Sequence, residues 1–148
     1  MGLAVANTEI VPDADNAVVP QRAPLRVLVV EDDAADAYLI RQALESDPRV
    51  QEIVRAKDGV EALSMLEDGT FRPDLAIIDL QMPRKDGFSF LVDLACQDEQ
   101  EFPAVVLTSS KARADAVRSR LRGARLVLTK PDTLRELETI LHRAIATL

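Results

Sequence analysis

The feature that most constrains this chain is a set of short, unbroken apolar runs, each of which ends on polar residues. LRVLVV (25–30) runs into Glu31-Asp32-Asp33, DLAIID (74–79) ends on Asp79, PAVVLT (103–108) ends on Thr108 before Ser109, and RLVLT (125–129) runs into Lys130. Runs of this length without alternating polar residues suit strands buried on both faces, as parallel sheets require. A further segment, VQEIVRA (50–56), alternates enough for an edge strand. Between the strands, apolar residues recur at helical spacing. Ala37, Ile40 and Leu44 mark a helix that stops before Pro48, and Ala62, Leu63 and Leu66 mark one that starts at Asp58-Gly59 and ends near Gly69. Phe88, Leu91, Leu94 and Ala95 mark a third, a polar helix covers about 111–122 up to Gly123, and Leu134, Leu137, Leu141 and Ile145 mark the last, capped by Asp132 or Thr133.

Strand and helix thus alternate five times. The expected fold is α/β, a (βα)5 doubly wound parallel sheet of five strands with helices on both faces. Right-handed crossovers leave few topologies. Covering both faces makes the chain reverse once, and ligands of open α/β sheets bind in the resulting crevice at the strands' carboxyl ends. Residues 1–23, with Pro12 and Pro20 among Asn and Asp, read as a flexible N-terminal arm, and residues 24–148 as one domain.

Composition removes several function classes. The net charge of -7 argues against non-specific nucleic-acid binding, which depends on Lys and Arg neutralising phosphates, so no DNA partner is expected. A single cysteine, Cys96, permits no intrachain disulfide and no cysteine-built metal site, and reads as a packed thiol on the third helix. His142, the lone histidine, falls on the last helix, away from the polar residues that follow the strands, and reads as a surface residue. Tyr38 is expected to pack along the first helix. The first twenty residues lack a basic start and a long apolar run, and no stretch approaches the roughly 18 apolar residues of a membrane span. A cytoplasmic protein with no membrane partner is the expectation.

The polar residues gather at one end of the expected sheet. Carboxylates at Glu31, Asp32, Asp33 and Asp79 would repel one another, and without a cation at least one is pushed toward protonation. A hard divalent ion relieves this, and oxygen ligands suit Mg²⁺. Lys130 supplies a fixed positive charge opposite the ion and Thr108 a hydroxyl, which together could neutralise phosphoryl oxygens. Carboxylates are covalent acceptors of phosphoryl groups, and the middle strand puts Asp79 between the acidic pair and the lysine. Asp33 reads as the cap of the first helix.

The segments VLVVEDD, LAIIDLQMPRKDG, VVLTSS and LTKP, in that order, resemble the four signature segments of two-component response-regulator receiver domains, over roughly residues 25–147. The resemblance implies a flavodoxin-like strand order 2-1-3-4-5. It implies that Asp79 is the phosphoacceptor, served by a sensor histidine kinase or a histidine phosphotransfer protein. It implies that Glu31, Asp32, Asp79 and the backbone carbonyl of Gln81 hold Mg²⁺ or Mn²⁺, with Asp32 a direct ligand. Thr108 is implied as the switch hydroxyl, Ser109 as a backbone N–H donor, Lys130 as the phosphoryl contact, and Pro83, Gly87 and Pro131 as loop residues. The protein is then no enzyme beyond assisting its own phosphorylation and dephosphorylation. VEDDAADAYLI, LTSS and LTKP look similar to regulators that partner bacterial phytochrome kinases.

Two positions depart from the family. Val127 stands where Tyr or Phe is common, and a valine cannot report the switch by swinging a ring. Asp132 stands where an apolar residue is frequent. The arginines Arg113, Arg118 and Arg122 on the fourth helix read as a solvated face or as a docking face for an acidic partner or a second subunit. The chain ends after its fifth helix, which suggests a stand-alone regulator acting by protein contact, onward phosphotransfer or dimerisation. The competing reading is a receiver-like interaction module that is never phosphorylated. A haloacid-dehalogenase-type phosphatase would need a D-x-D-x-T-like motif after its first strand, and EDDAADAY does not match it. A flavodoxin-type phosphate loop would need hydroxyls and backbone N–H groups where this chain has carboxylates.

Overall fold

A computed structural model describes residues 24–97 and 102–148. The proposed arm at 1–23 lies outside the described residues. The elements are β1 (Leu25–Val30), α1 (Ala34–Glu45), β2 (Val50–Ala56), α2 (Gly59–Glu67), β3 (Leu75–Ile78), α3 (Gly87–Ala95), β4 (Ala104–Thr108), α4 (Arg113–Leu121), β5 (Leu126–Thr129) and α5 (Leu134–Ala146). The five strands are parallel in the order β2-β1-β3-β4-β5, the doubly wound order expected.

Side chains of a strand alternate between its two faces, and the core divides accordingly. Val27 and Val29 of β1, Leu75 and Ile77 of β3, and Val105 and Leu107 of β4 pack with Ile40 and Leu44 of α1 and Leu137, Leu141 and Ile145 of α5. Their neighbours Leu28, Val30, Ala76, Ile78 and Val106 face the other way, onto Ala62 of α2 and Phe90, Leu91 and Leu94 of α3. Each large side chain buried this way contributes about 1.5–3 kcal/mol. β1, β3 and β4 are buried along most or all of their length, whereas β2 and β5 are only partly covered, as edge strands are.

The starts of α1, α2, α3 and α5 are capped by side chains that accept from the third following N–H: Asp33 from Asp36, Asp58 from Glu61, Asp86 from Ser89 and Thr133 from Glu136. Thr133, not Asp132, therefore caps α5. Gly123, at φ 106, ends α4 in a conformation that only glycine adopts without strain.

Three expectations about packing need correction. Cys96 is exposed: α3 has ended there, and its backbone N–H closes the helix onto Val92 and Asp93. Tyr38 is 59% exposed, and its hydroxyl accepts from the Gln42 side chain four residues on. On α3 the buried face is Gly87, Phe90, Leu91 and Leu94, with Ala95 exposed and Phe88 half-buried. Two phenylalanines two residues apart cannot share a helix face, and the sheet takes Phe90.

Candidate functional site

The strand ladder continues past the strand ends and fixes the polar residues there. The Asp79 N–H donates to Val30 O at 3.0 Å, the Glu31 N–H to Ala56 O at 3.1 Å, and the Lys130 N–H to Thr108 O at 2.8 Å. The backbone behind Asp79 is packed against Gly87, whose N–H donates to Leu80 O at 2.9 Å. A Cβ at residue 87 would stand 2.4 Å from Asp79 O and 2.8 Å from Leu80 Cα, so the β3–α3 loop closes only over a glycine.

Glu31, Asp32 and Asp79 converge. One carboxylate oxygen of each lies within 4.8 Å of the others. Glu31 is 1% exposed and Asp79 8%, while Asp32 is open to solvent. Lys130 reaches in from the end of β5: its Nζ lies 2.7 Å from Glu31 Oε1, 2.8 Å from Asp36 Oδ2 and 3.7 Å from Asp79 Oδ1. Its side chain is only 15% exposed, which rules out a merely solvated lysine.

The electrostatics follow from this crowding. Burial pushes Glu31 up to about 7, opposed by its bond to Lys130 and reinforced by the nearby Asp79 charge. Burial also raises Asp79, with Lys130 pulling the other way. Burial alone would lower Lys130, but its bonds to Asp36 and Glu31 outweigh that and hold it above its ordinary value. Two buried carboxylates held above their normal range beside one ammonium form a site short of positive charge, as the sequence suggested. Hard oxygen donors in this number and spacing fit a small divalent cation.

Asp32, Gln81, Pro83, Phe88, Asp115 and Arg118 line an open cleft of about 520 Å³ beside the cluster. Gln81 thus faces the same cleft as Asp32. Thr108 is buried at the end of β4, and its hydroxyl accepts from the Ser110 N–H at 3.1 Å. Ser109 is exposed. The Ser110 hydroxyl donates to Asp115 Oδ2 at 2.6 Å and accepts from the Ala112 N–H, which ties the β4–α4 loop to the first turn of α4. Val127 is half-buried, pairs in register with Val106 and packs on the α2–α3 side of the core. Of the arginines, Arg118 is stacked over the Phe88 ring at 3.9 Å, Arg122 lines a smaller groove with it, and Arg113 is exposed. His142 sits in the α1–α5 seam, bonded to Ser46 Oγ at 2.9 Å and remote from the cluster.

Some participants were not foreseen. Arg55 on β2 donates from Nε to Glu31 O at 3.0 Å and from Nη2 to Asp32 O at 2.9 Å, clamping the loop that carries the acidic pair. Asp36 binds Lys130 from the first turn of α1. Arg84 pairs with the buried Asp58 at 2.7 Å, tying the loop after β3 to the start of α2. The sequence offered a signal only for Asp36, as an acidic residue in a first helical turn after the Asp33 cap.

A doubly wound sheet that presents carboxylates and a lysine together at its carboxyl edge defines the receiver class of two-component signalling proteins. The chain belongs to the response regulator receiver domain family, whose sequence profile matches residues 27–142. It is 32% identical over 120 residues to response regulator Rcp1 of Synechocystis sp., covering 77% of this chain and 82% of Rcp1. It is 38% identical over 137 residues to the transcriptional regulatory protein PdtaR of Mycobacterium tuberculosis, covering 90% of this chain and 60% of PdtaR. It also matches the sensor histidine kinase CheAY of Helicobacter pylori at 30% identity, over 80% of this chain but only 15% of that longer protein. Among solved structures, the phosphorylated cyanobacterial phytochrome response regulator RcpA superposes with a TM-score of 0.76 at 31% identity, covering 82% of this chain and 91% of RcpA. The Mn²⁺-bound form of Rcp1 gives 0.73 at 29% identity, covering 81% and 91%. Among the described residues no helix is long and apolar enough to cross a membrane.

Proposed function

We propose that this chain accepts a phosphoryl group on Asp79 from the phosphohistidine of a sensor kinase or a histidine phosphotransfer protein. The observation that carries the reading is the convergence of Glu31, Asp32, Asp79 and Lys130 at the carboxyl edge of the sheet. An Asp79 carboxylate oxygen attacks phosphorus as the bond to the imidazole nitrogen breaks. The new P–O bond forms while the departing imidazole keeps the electron pair and takes up a proton. Lys130 neutralises a phosphoryl oxygen with a charge already fixed in place. The Thr108 hydroxyl and the Ser109 N–H offer further donors at the end of β4. Asp32, Asp79, Glu31 and the Gln81 carbonyl would hold Mg²⁺ or Mn²⁺. The bound ion would screen the repulsion between the carboxylates and the incoming phosphoryl oxygens.

The chain turns over no other substrate in this reading. The likeness to RcpA, a cyanobacterial phytochrome response regulator, supports a phytochrome-type kinase as donor. Output would then go by protein contact, onward transfer or dimerisation. Val127 offers no ring to swing, so the signal leaves through Thr108, Ser110 and Asp115 into α4, where Arg113, Arg118 and Arg122 form the partner face. Incubation with Mg²⁺ and acetyl phosphate, followed by intact mass measurement, tests the reading. The wild-type chain gains one phosphoryl group and Asp79→Asn gains none. A wild-type chain that gains nothing returns the protein to the class of unphosphorylated interaction modules.

A further inference from the structure

Lys130 is held by two carboxylates, and only one of them belongs to the acidic cluster. Asp36 takes one N–H of the ammonium at 2.8 Å and Glu31 another at 2.7 Å, while the nearest oxygen of Asp79 stands at 3.7 Å, beyond hydrogen-bond reach. An ammonium has three donors, so two are already committed away from the acceptor. Asp36 is rigidly placed: Asp33 caps α1 by accepting the Asp36 N–H at 3.0 Å, which fixes the turn that carries it. Its side chain is 40% exposed and lies outside the group of three carboxylates that could share a cation.

We propose that Asp36 is a positioning residue that competes with the phosphoryl group for Lys130 and so weakens the site's hold on an anion at Asp79. The inference rests on the reading of Asp79 as phosphoacceptor. A phosphoryl group at Asp79 brings new anionic oxygens toward Lys130. Any bond that the lysine makes to them is drawn from an ammonium that Asp36 already binds. To the extent that the lysine turns away, Asp36 is left as an unneutralised negative charge beside a negative ligand. The charge of Asp36 therefore acts with opposite sign on the two ligands of the site: it opposes the anion and favours the cation.

Asp36→Asn removes the charge while keeping the size of the side chain. Beryllofluoride, a stable mimic of the phosphoryl group, is titrated calorimetrically at saturating Mg²⁺, and Mg²⁺ is titrated alone. The variant binds beryllofluoride about three- to tenfold more tightly and Mg²⁺ about two- to fivefold more weakly, the size expected of one partly exposed charge. Asp36→Glu, which restores the charge, moves both affinities back toward wild type. A purely structural role for Asp36 would loosen the site and weaken both ligands together, so a fall in both, or no change in either, overturns the proposal. Wild-type protein is treated with acetyl phosphate alongside. If it takes up no phosphoryl group, the Asp79 reading fails and the Asp36 role with it. If it is phosphorylated while Asp36→Asn leaves both affinities unchanged, only the role of Asp36 is refuted.

Discussion

Gly87→Ala tests how the fold holds Asp79 in place. The added methyl would lie 2.8 Å from Leu80 Cα and 2.4 Å from Asp79 O. Carbon atoms need about 3.5 Å, and a carbon–oxygen contact only slightly less, so the tighter clash with Asp79 O forces the β3–α3 loop to open by about 1 Å. The obstacles are backbone atoms of the acceptor strand's own continuation, and no flexible side chain can yield. Overpacking costs about 1–3 kcal/mol, and a rigid obstacle puts this site at the upper end. A loss of about 2–3 kcal/mol lowers Tm by about 6–12 °C in a chain of this length. The same opening displaces Asp79 and the Gln81 carbonyl from their partners, and a misplacement near 1 Å costs a reaction about 100-fold in rate. Thermal unfolding and the rate of phosphorylation by acetyl phosphate read the two effects. Gly123→Ala serves as the control: nothing lies within 4 Å of its Cβ, so only the φ of 106 is penalised, by about 1–2 kcal/mol, and the phosphorylation rate is unchanged. A Gly87→Ala protein with wild-type Tm and wild-type rate would refute the close-packing argument.

Glu31 and Asp79 both bind protons more tightly in the folded chain than in the unfolded one. Their contribution to stability is therefore present at low pH and lost as pH rises, for Glu31 between its ordinary 4.5 and about 7. Without divalent metal, denaturant unfolding should show this decline, and Asp79→Asn should flatten it. Because a cation displaces the retained proton, Mg²⁺ affinity rises across the same window, by up to about tenfold per pH unit, and levels off above it; an affinity independent of pH would contradict the coupling. Arg55→Ala releases the loop that carries the acidic pair and lowers Mg²⁺ affinity about tenfold, measured by calorimetry, with the helical circular dichroism retained. Reversing charge at Arg118 and Arg122 weakens binding to a partner or a second copy, seen by sedimentation, while Asp79 phosphorylation persists; equal loss of both would argue against a separate docking face.

The parts of the molecule that depend on local pattern were legible in the sequence. The unbroken runs at 25–30, 74–79 and 103–108 became the buried strands, and the residues that follow them became the site, because a parallel sheet sends every strand's carboxyl end to the same edge. What escaped were choices made between elements. Phe88 and Phe90 are equivalent by composition, and only the docking of α3 decides which is buried. Cys96 is separated from the core by one residue of helix end. The clamp of Arg55 on the Glu31 and Asp32 carbonyls crosses from one strand to the loop of another, 24 and 23 residues away, with no spacing that marks it. The bond between Asp36 and Lys130 spans 94 residues and depends on α1 and α5 packing side by side on one face of the sheet, a long-range choice that no local spacing marks.

The central claim is that Asp79, and no other carboxylate in the crevice, carries the phosphoryl group. Reduction with borohydride converts an aspartyl phosphate to homoserine and marks the residue covalently. Protein phosphorylated with acetyl phosphate and Mg²⁺, reduced, digested and sequenced by mass spectrometry, should show homoserine at position 79 alone. Homoserine at 31–33 or 36, or a modified residue that survives in Asp79→Asn, would contradict the account.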